Sequence, residues 1–241
     1  MYQNLILNDN NMKLIYRISD AGYNKVKPNY INNENCLKNA SQVFVNAEWS
    51  IIADNTSAIT DEMISKYQSA VNKVSIGHGA GTFNLALTEA LSLPDDEIVY
   101  FLENDYLHKA NSYEVLHEGF ETGADYVALY DHPDKYINGA NPEVEGGGEL
   151  TRVLLTKSCH WKLTNSTTMT FAAKVKTLRD DEDILRSFTQ GSYPRDFEMF
   201  LELRNKGKAL ITPIPGYATH GETAWLSPLT NWNDICNNTN I

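Results

Sequence analysis

The apolar run Ile98-Val99-Tyr100-Phe101-Leu102 stops abruptly at two acids, Glu103 and Asp105. No turn residue interrupts it, and its β-branched and aromatic side chains favour a strand, so Glu97 to Leu102 reads as a core strand. Open α/β sheets place their ligands just outside the carboxyl ends of such strands. Glu103 and Asp105 fall there, two residues apart and on one side if the backbone stays extended. Hard oxygen ligands so placed suit Mg2+ or Mn2+ held against a diphosphate. The same triplet also reads as a strand end entering a turn, with no ligand.

The flanking sequence repeats this pattern. Strands are expected at Lys13–Ser19, Trp49–Ala53, Lys73–Ile76 and Asp125–Tyr130. Between them run helices over 35–44, from a Thr60 cap to about Val71, over 82–93 and over 112–121. Such βαβα alternation argues for a parallel sheet with helices on both faces. Asp20, Asp54, Glu103, Asp105 and Asp131 end these strands, and five acids on one rim read as a nucleotide and metal crevice. The second half differs. Loop 138–148 is polar, Leu150–Leu155 and Ser166–Ala172 read as antiparallel strands, and Asp180–Phe188 as a helix. Pro194–Lys206 reads as an amphipathic helix closed by Gly207. Ala209–Thr212 is the last expected strand. The Asn-rich stretch 23–35 reads as a long loop. One continuous domain over 1–241 is expected, with a nucleotide-side half to about residue 135 and an acceptor-side half after it.

Composition narrows the partners. Of 241 residues, 20 are Lys or Arg and 31 are Asp or Glu, for a net charge of -11. Nothing broad would neutralise a nucleic-acid backbone. Cys36, Cys159 and Cys236 lack zinc or disulfide spacing and fit a reducing compartment. Met1–Asp9 has no basic n-region, and no window approaches the roughly 20 apolar residues of a membrane span. A soluble, cytoplasmic protein is expected.

Four further features carry chemistry. Asp54 ends a buried strand, where a carboxylate accepts from a ribose or base, or simply makes a turn with Asn55. Gly77-His78-Gly79-Ala80-Gly81 is a glycine turn opening a helix, suited to close backbone approach by a phosphate. It lacks the Lys-Ser/Thr ending of a P-loop. It also resembles the turn of S-adenosylmethionine methyltransferases, with Glu103 then binding the ribose. Asp196 starts a helix, as cap or as general base. His220 follows a strand and a Pro-Gly loop, where it is a metal ligand or a structural histidine. Trp161 reads as core or as a sugar platform.

In order and spacing, Tyr16–Asp20, Ile52–Asn55, Gly77–Gly81, Phe101–Tyr106, Pro194–Glu198 and Ala218–His220 together resemble metal-dependent glycosyltransferases of the GT-A fold, close to family 2. The resemblance spans about 13–222. It implies a Rossmann-like α/β fold with a mixed, mainly parallel sheet and a small antiparallel acceptor-side portion. It implies a hexosyltransferase-type, inverting enzyme that moves a sugar from a nucleotide-sugar donor, UDP-linked, to a hydroxyl acceptor with Mn2+ or Mg2+. Glu103-Asn104-Asp105 falls at the DXD motif, although its first two residues depart from the Asp-rich form. Asp105 and His220 would bind the metal. Arg17, Asp54, Gly77, Gly79, Glu103 and Asn104 would bind the donor, and Asp196 would be the base. The rivals are the methyltransferase, a nucleotidyltransferase, which would want a basic phosphate loop where the loop after Ser19 has only Lys25 and Lys27, and a nucleotide- or sugar-binding module without catalysis.

Overall fold

A computed structural model describes residues 12–21 and 25–238. Met1–Asp9 and the start of the 23–35 loop lie outside the described residues. In chain order the first elements are β1 (Met12–Ser19), α1 (Asn33–Val43), β2 (Glu48–Asp54), α2 (Ala58–Ser65), β3 (Val71–Val74) and α3 (Gly79–Ala90). Then come β4 (Ile98–Glu103), β5 (Tyr106–His108), α4 (Ser112–Glu121) and β6 (Tyr126–Val127). The small hairpin β7 (Val144–Glu145) and β8 (Gly148–Glu149) precedes β9 (Val153–Leu155), β10 (His160–Leu163) and β11 (Phe171–Lys174). The rest are α5 (Val175–Asp180), α6 (Glu182–Ser187), α7 (Asp196–Asn205), β12 (Leu210–Ile214), β13 (Ala218–His220) and α8 (Trp232–Asn238).

One sheet joins both halves of the chain, in the order β3-β2-β1-β4-β11-β6-β12-β10-β9. Strands β3, β2, β1 and β4 are parallel, whereas β11 runs antiparallel to β4 and to β6. Alternate side chains of each strand feed two cores. Tyr16, Ile18, Ile51, Tyr100 and Leu102 face α1, α2 and α4. Ile15, Ile52, Val99 and Phe101 face α3 and the α5–α7 layer. This two-sided burial explains why these strands read as continuous apolar runs. Trp161 is fully buried and donates from Nε1 to Thr156 Oγ1, so it is core and not a platform.

Several boundaries differ from the sequence expectation. Helix α2 is capped by Ser57, whose Oγ accepts from Thr60 N–H, so Thr60 lies inside the helix. The helix ends at Ser65, and Val71 belongs to β3. Strand β3 stops at Val74 because Ile76 and Gly77 N–H donate to the Asp54 carboxylate, at 2.6 and 2.8 Å. Helix α3 starts at Gly79 under a His78 cap, so within the glycine turn only Gly77 carries a positive φ, +82°. Segment 125–130 keeps two strand residues, and 166–170 is a loop rather than a strand.

The short antiparallel pair β5–β13 lies outside the main sheet. It is anchored by Asn39, which exchanges two hydrogen bonds with the backbone of His108. His108 is buried, with Nε2 2.8 Å from Tyr100 Oη, and burial pushes its pKa down to about 3. Below pH 6.5 the unfolded chain binds a proton at this histidine that the folded chain refuses. Stability therefore falls as pH drops below 6.5 and levels off only near pH 3. The His108 share is about 2 kcal/mol between pH 6.5 and 5. Urea midpoints across that range are expected to fall, and to fall less in His108→Gln. An equal slope in the variant would remove His108 as the cause.

Candidate functional site

Strand alternation and register assemble the site. Arg17 lies opposite Glu103 in the β1–β4 pairing, and both share the α3 side with Ile15 and Phe101. Asp54 follows Ile52 by two residues and points to the same side. Arg17 is buried and pairs with Glu103 at 3.1 Å. It also donates to the carbonyls of Met169 (2.9 Å) and Gly79 (3.3 Å), with its guanidinium over the Phe83 ring. Burial lowers the Arg17 pKa and the Glu103 carboxylate works against that, which is the pattern of a paired buried cation. Asp54 accepts from Ile76, Gly77 and Asn55, and so ties the end of β2 to the glycine turn. Asp20 accepts from Ser57 N–H and Thr60 Oγ1, both at 2.6 Å. Asn104 donates to Ser19 O and Asn33 Oδ1, linking β1 to α1.

These groups line a cavity of about 520 Å³ together with Lys25, Lys27, Gly77, His78, Gly79, Thr82 and Asp105. Asp131, expected on the same rim, is not in its wall. It pairs instead with Lys162 at 3.0 Å and accepts from Tyr136 Oη. The β5–β13 pairing places His220 opposite Tyr106, which brings His220 Nε2 to 3.4 Å from Asp105 Oδ2. Lys27 Nζ approaches the same oxygen at 3.0 Å and Lys25 Nζ at 3.6 Å. Burial, the largest effect on Asp105, acts to raise its pKa. His220, when protonated, and the two lysines outweigh it and hold the carboxyl well below the usual carboxylate range.

Among the described residues no group of three or more His, Cys, Asp or Glu side chains is placed to hold a metal ion. Asp105 and His220 alone form a two-ligand set of one hard oxygen and one imidazole. Asp105 Oδ1 is buried and has no hydrogen-bond partner among the described residues. Mn2+ and Mg2+ are commonly bound by one or two protein ligands with substrate phosphates and water completing the shell. The orphaned oxygen and this donor set fit such an ion.

No protein-family model and no curated protein sequence matches the chain. Solved structures do resemble it. A crystal structure of GalNAc-T7 with UDP, GalNAc and Mn2+ superposes with TM-score 0.57 at 12% identity, covering 91% of this chain and 46% of that one. The fold is GT-A-like. The structure of CMP:2-keto-3-deoxy-manno-octonic acid synthetase with CTP matches with TM-score 0.50 at 14% identity, over 89% of this chain and 94% of that one.

Within this GT-A-like fold, Arg17, Asp54, Gly77, Gly79, Glu103, Asn104 and Asp105 share the cavity, and His220 reaches Asp105 from β13. Asp196 stands apart from the cavity wall. Its carboxylate accepts four hydrogen bonds, from Thr167 N–H (2.7 Å), Thr167 Oγ1 (2.6 Å), Thr168 N–H (3.1 Å) and Met169 N–H (3.0 Å). Thr168 and Met169 have φ of +50° and +57°, so Asp196 holds a loop of left-handed, non-glycine residues. That loop also meets Tyr106, whose hydroxyl bonds Thr168 Oγ1, and Arg17 through Met169 O.

Sequence reasoning noted Lys25 and Lys27 only as the two basic residues of the loop after Ser19, too few for a basic phosphate loop, and did not place them in the site. It also passed over His132. That ring lies against Tyr130 and Trp225, and Tyr130 in turn lies against His220. His132 Nδ1 is 2.8 Å from Asp134 Oδ1. The same Nδ1 accepts from Asp134 N–H at 3.1 Å, so His132 caps the short helical turn that starts at Pro133. Burial acts to raise the Asp134 pKa, but His132, Lys135 and Asn141 bring it down to about 2. The spacing His132-Pro133-Asp134 was the one available signal.

Proposed function

We propose that the chain is a nucleotide-dependent transferase that moves a sugar from a UDP-linked donor to a hydroxyl acceptor. The observation that carries this reading is the meeting of Asp105 and His220, remote in sequence and 3.4 Å apart, beside a 520 Å³ polar cavity at the carboxyl ends of parallel strands. Nucleotide ligands in the related folds, UDP in one and CTP in the other, support it. Asp105 and His220 would hold Mn2+ or Mg2+, which when bound supplies Lewis-acid neutralisation of the departing diphosphate. Asp54 and the glycine turn face the nucleoside, and Arg17 fixes Glu103 in the donor wall. Asp196, with four accepted hydrogen bonds, serves the loop 167–169. Proton acceptance from the incoming hydroxyl is assigned to His132, whose ring lies against Tyr130 and, through it, near His220.

Nucleotidyl transfer is the second reading. It is favoured by Lys25 and Lys27, which put cations in the cavity from the segment after β1. The methyltransferase reading is weaker, because Gly79 and Gly81 lie inside α3 and the turn follows the sheet-edge strand β3. A thermal-shift panel of UDP, CTP, GDP and S-adenosylmethionine, each with and without Mn2+, separates these. Stabilisation by UDP only with Mn2+ is expected. A shift with S-adenosylmethionine and no metal would overturn the proposal. A shift with CTP in preference to UDP would move it to nucleotidyl transfer, and UDP binding with no donor cleavage would leave a binding module.

A further inference from the structure

The cavity holds two cations that the reading above does not use. Lys25 Nζ lies 2.9 Å from His220 Nε2 as well as 3.6 Å from Asp105 Oδ2. An ammonium has three N–H groups and no lone pair, so at 2.9 Å it donates and Nε2 accepts. A neutral imidazole has one acceptor nitrogen with one lone pair. That lone pair cannot serve Lys25 and a metal ion at the same time. Asp105 Oδ2 is approached likewise by both ammonium groups, while Oδ1 has no partner among the described residues. Two positive charges therefore face a single carboxylate. Both ammonium groups line a cavity whose third cation, Arg17, is paired with Glu103.

Resting on the metal assignment of Asp105 and His220, we propose that Lys25 and Lys27 are diphosphate-binding residues stored on the metal ligands. In the donor-free protein their ammonium groups fill the place of the divalent ion. When the ion binds, they leave those ligands and take phosphate oxygens of the nucleotide. Three observations support such an exchange. Both side chains are partly exposed, at 24% and 31%, and so have room to move. Both line the cavity together with the α3 N-terminal turn. A flexible four-carbon stem also lets an ammonium act as a mobile point charge, which a guanidinium fork does less readily. The device keeps a buried carboxylate neutralised before the ion arrives, and it makes ion and nucleotide binding mutually dependent. The same arrangement serves a nucleotide-sugar or a nucleoside triphosphate, because the phosphates are what it recognises.

The test measures Mn2+ binding to the nucleotide-free protein by the loss of the free-ion EPR signal, in wild type, Lys25→Met and Lys27→Met. It then measures UDP and CDP binding by calorimetry at saturating Mn2+. Lys25→Met is expected to bind Mn2+ about tenfold tighter without nucleotide, and the better-bound of the two nucleotides about tenfold weaker with Mn2+ present. Lys27→Met should change both in the same directions and by less on Mn2+, since Lys27 contacts Asp105 and not His220. Lys25→Gln repeats the measurement should the methionine variant fail to fold. Mn2+ affinity that is unchanged or weaker in both Lys25 variants would overturn the inference while leaving the metal site standing. Nucleotide affinity unchanged by removing either lysine would overturn the phosphate role. A wild-type protein that takes up no Mn2+, with or without nucleotide, would overturn the metal assignment and this inference together.

Discussion

Asp105→Ala is expected to abolish Mn2+-dependent nucleotide binding. The substitution removes the carboxylate of the two-residue ligand set and leaves His220 alone, with Lys25 and Lys27 still nearby. One imidazole does not retain Mn2+ at micromolar concentrations, so nucleotide affinity in the presence of the ion should fall more than about 100-fold. A ligand at about 100 times its Kd stabilises a folded chain by about 2.7 kcal/mol. For a chain of this length that corresponds to a Tm shift of about 5–10 °C, and the variant should lose it. The nucleotide-free variant should still fold, because the cations it strands are partly exposed and become hydrated. Asp105→Asn sharpens the test, since the amide keeps the volume and removes the charge. The outcome that would sink the assignment is an Mn2+-dependent UDP shift in Asp105→Ala equal to that of the wild type.

Legibility in the sequence followed burial. Strands β1, β2 and β4 were readable because both of their faces are covered, so their apolar runs are unbroken. Their carboxyl ends were readable for the same reason, since Asp54, Glu103 and Asp105 mark where the apolar runs of β2 and β4 stop, although Asp54 and Asp105 are themselves buried. The element ends that shifted were those decided by a side chain from elsewhere. Asp54 captures Ile76 and Gly77 and shortens β3, and Ser57 rather than Thr60 starts α2. Ser166–Thr170 carries the hydroxyl and β-branched residues of a strand. A carboxylate on α7 instead bends it into a left-handed loop, and nothing local announces that. His160–Leu163 was passed over although it forms β10, buried at Trp161 and Lys162. His220 could be singled out as a histidine after a strand, but its partner could not, because the β5–β13 ladder that joins it to Asp105 is a tertiary pairing. Lys25 and Lys27 were visible as the two basic residues after Ser19, but their place beside Asp105 and His220 depends on the same ladder.

Asp196→Asn distinguishes a carboxylate that holds a loop from one that takes a proton. A solvent-facing base converted to its amide would leave Tm unchanged and remove turnover. Here each carboxylate oxygen receives two hydrogen bonds, from Thr167 and Thr168 N–H on one side and from Thr167 Oγ1 and Met169 N–H on the other. An amide presents its own N–H groups to one of these pairs. At least one backbone donor then loses its acceptor, and the left-handed Thr168 and Met169 lose the contact that offsets their strain. The site is half-buried, so the expected cost is about 2 kcal/mol rather than the larger value of a sealed core, a Tm drop of about 4–8 °C. Because Met169 O accepts from Arg17, nucleotide affinity should weaken as well. His132→Gln is expected to lose far more turnover than stability, with a modest Tm drop from the lost Asp134 contacts, UDP affinity nearly unchanged and UDP release from a UDP-sugar reduced about 100-fold or more. A stable Asp196→Asn with normal nucleotide binding and no turnover would return the base to Asp196 and leave His132 a structural residue beside Trp225.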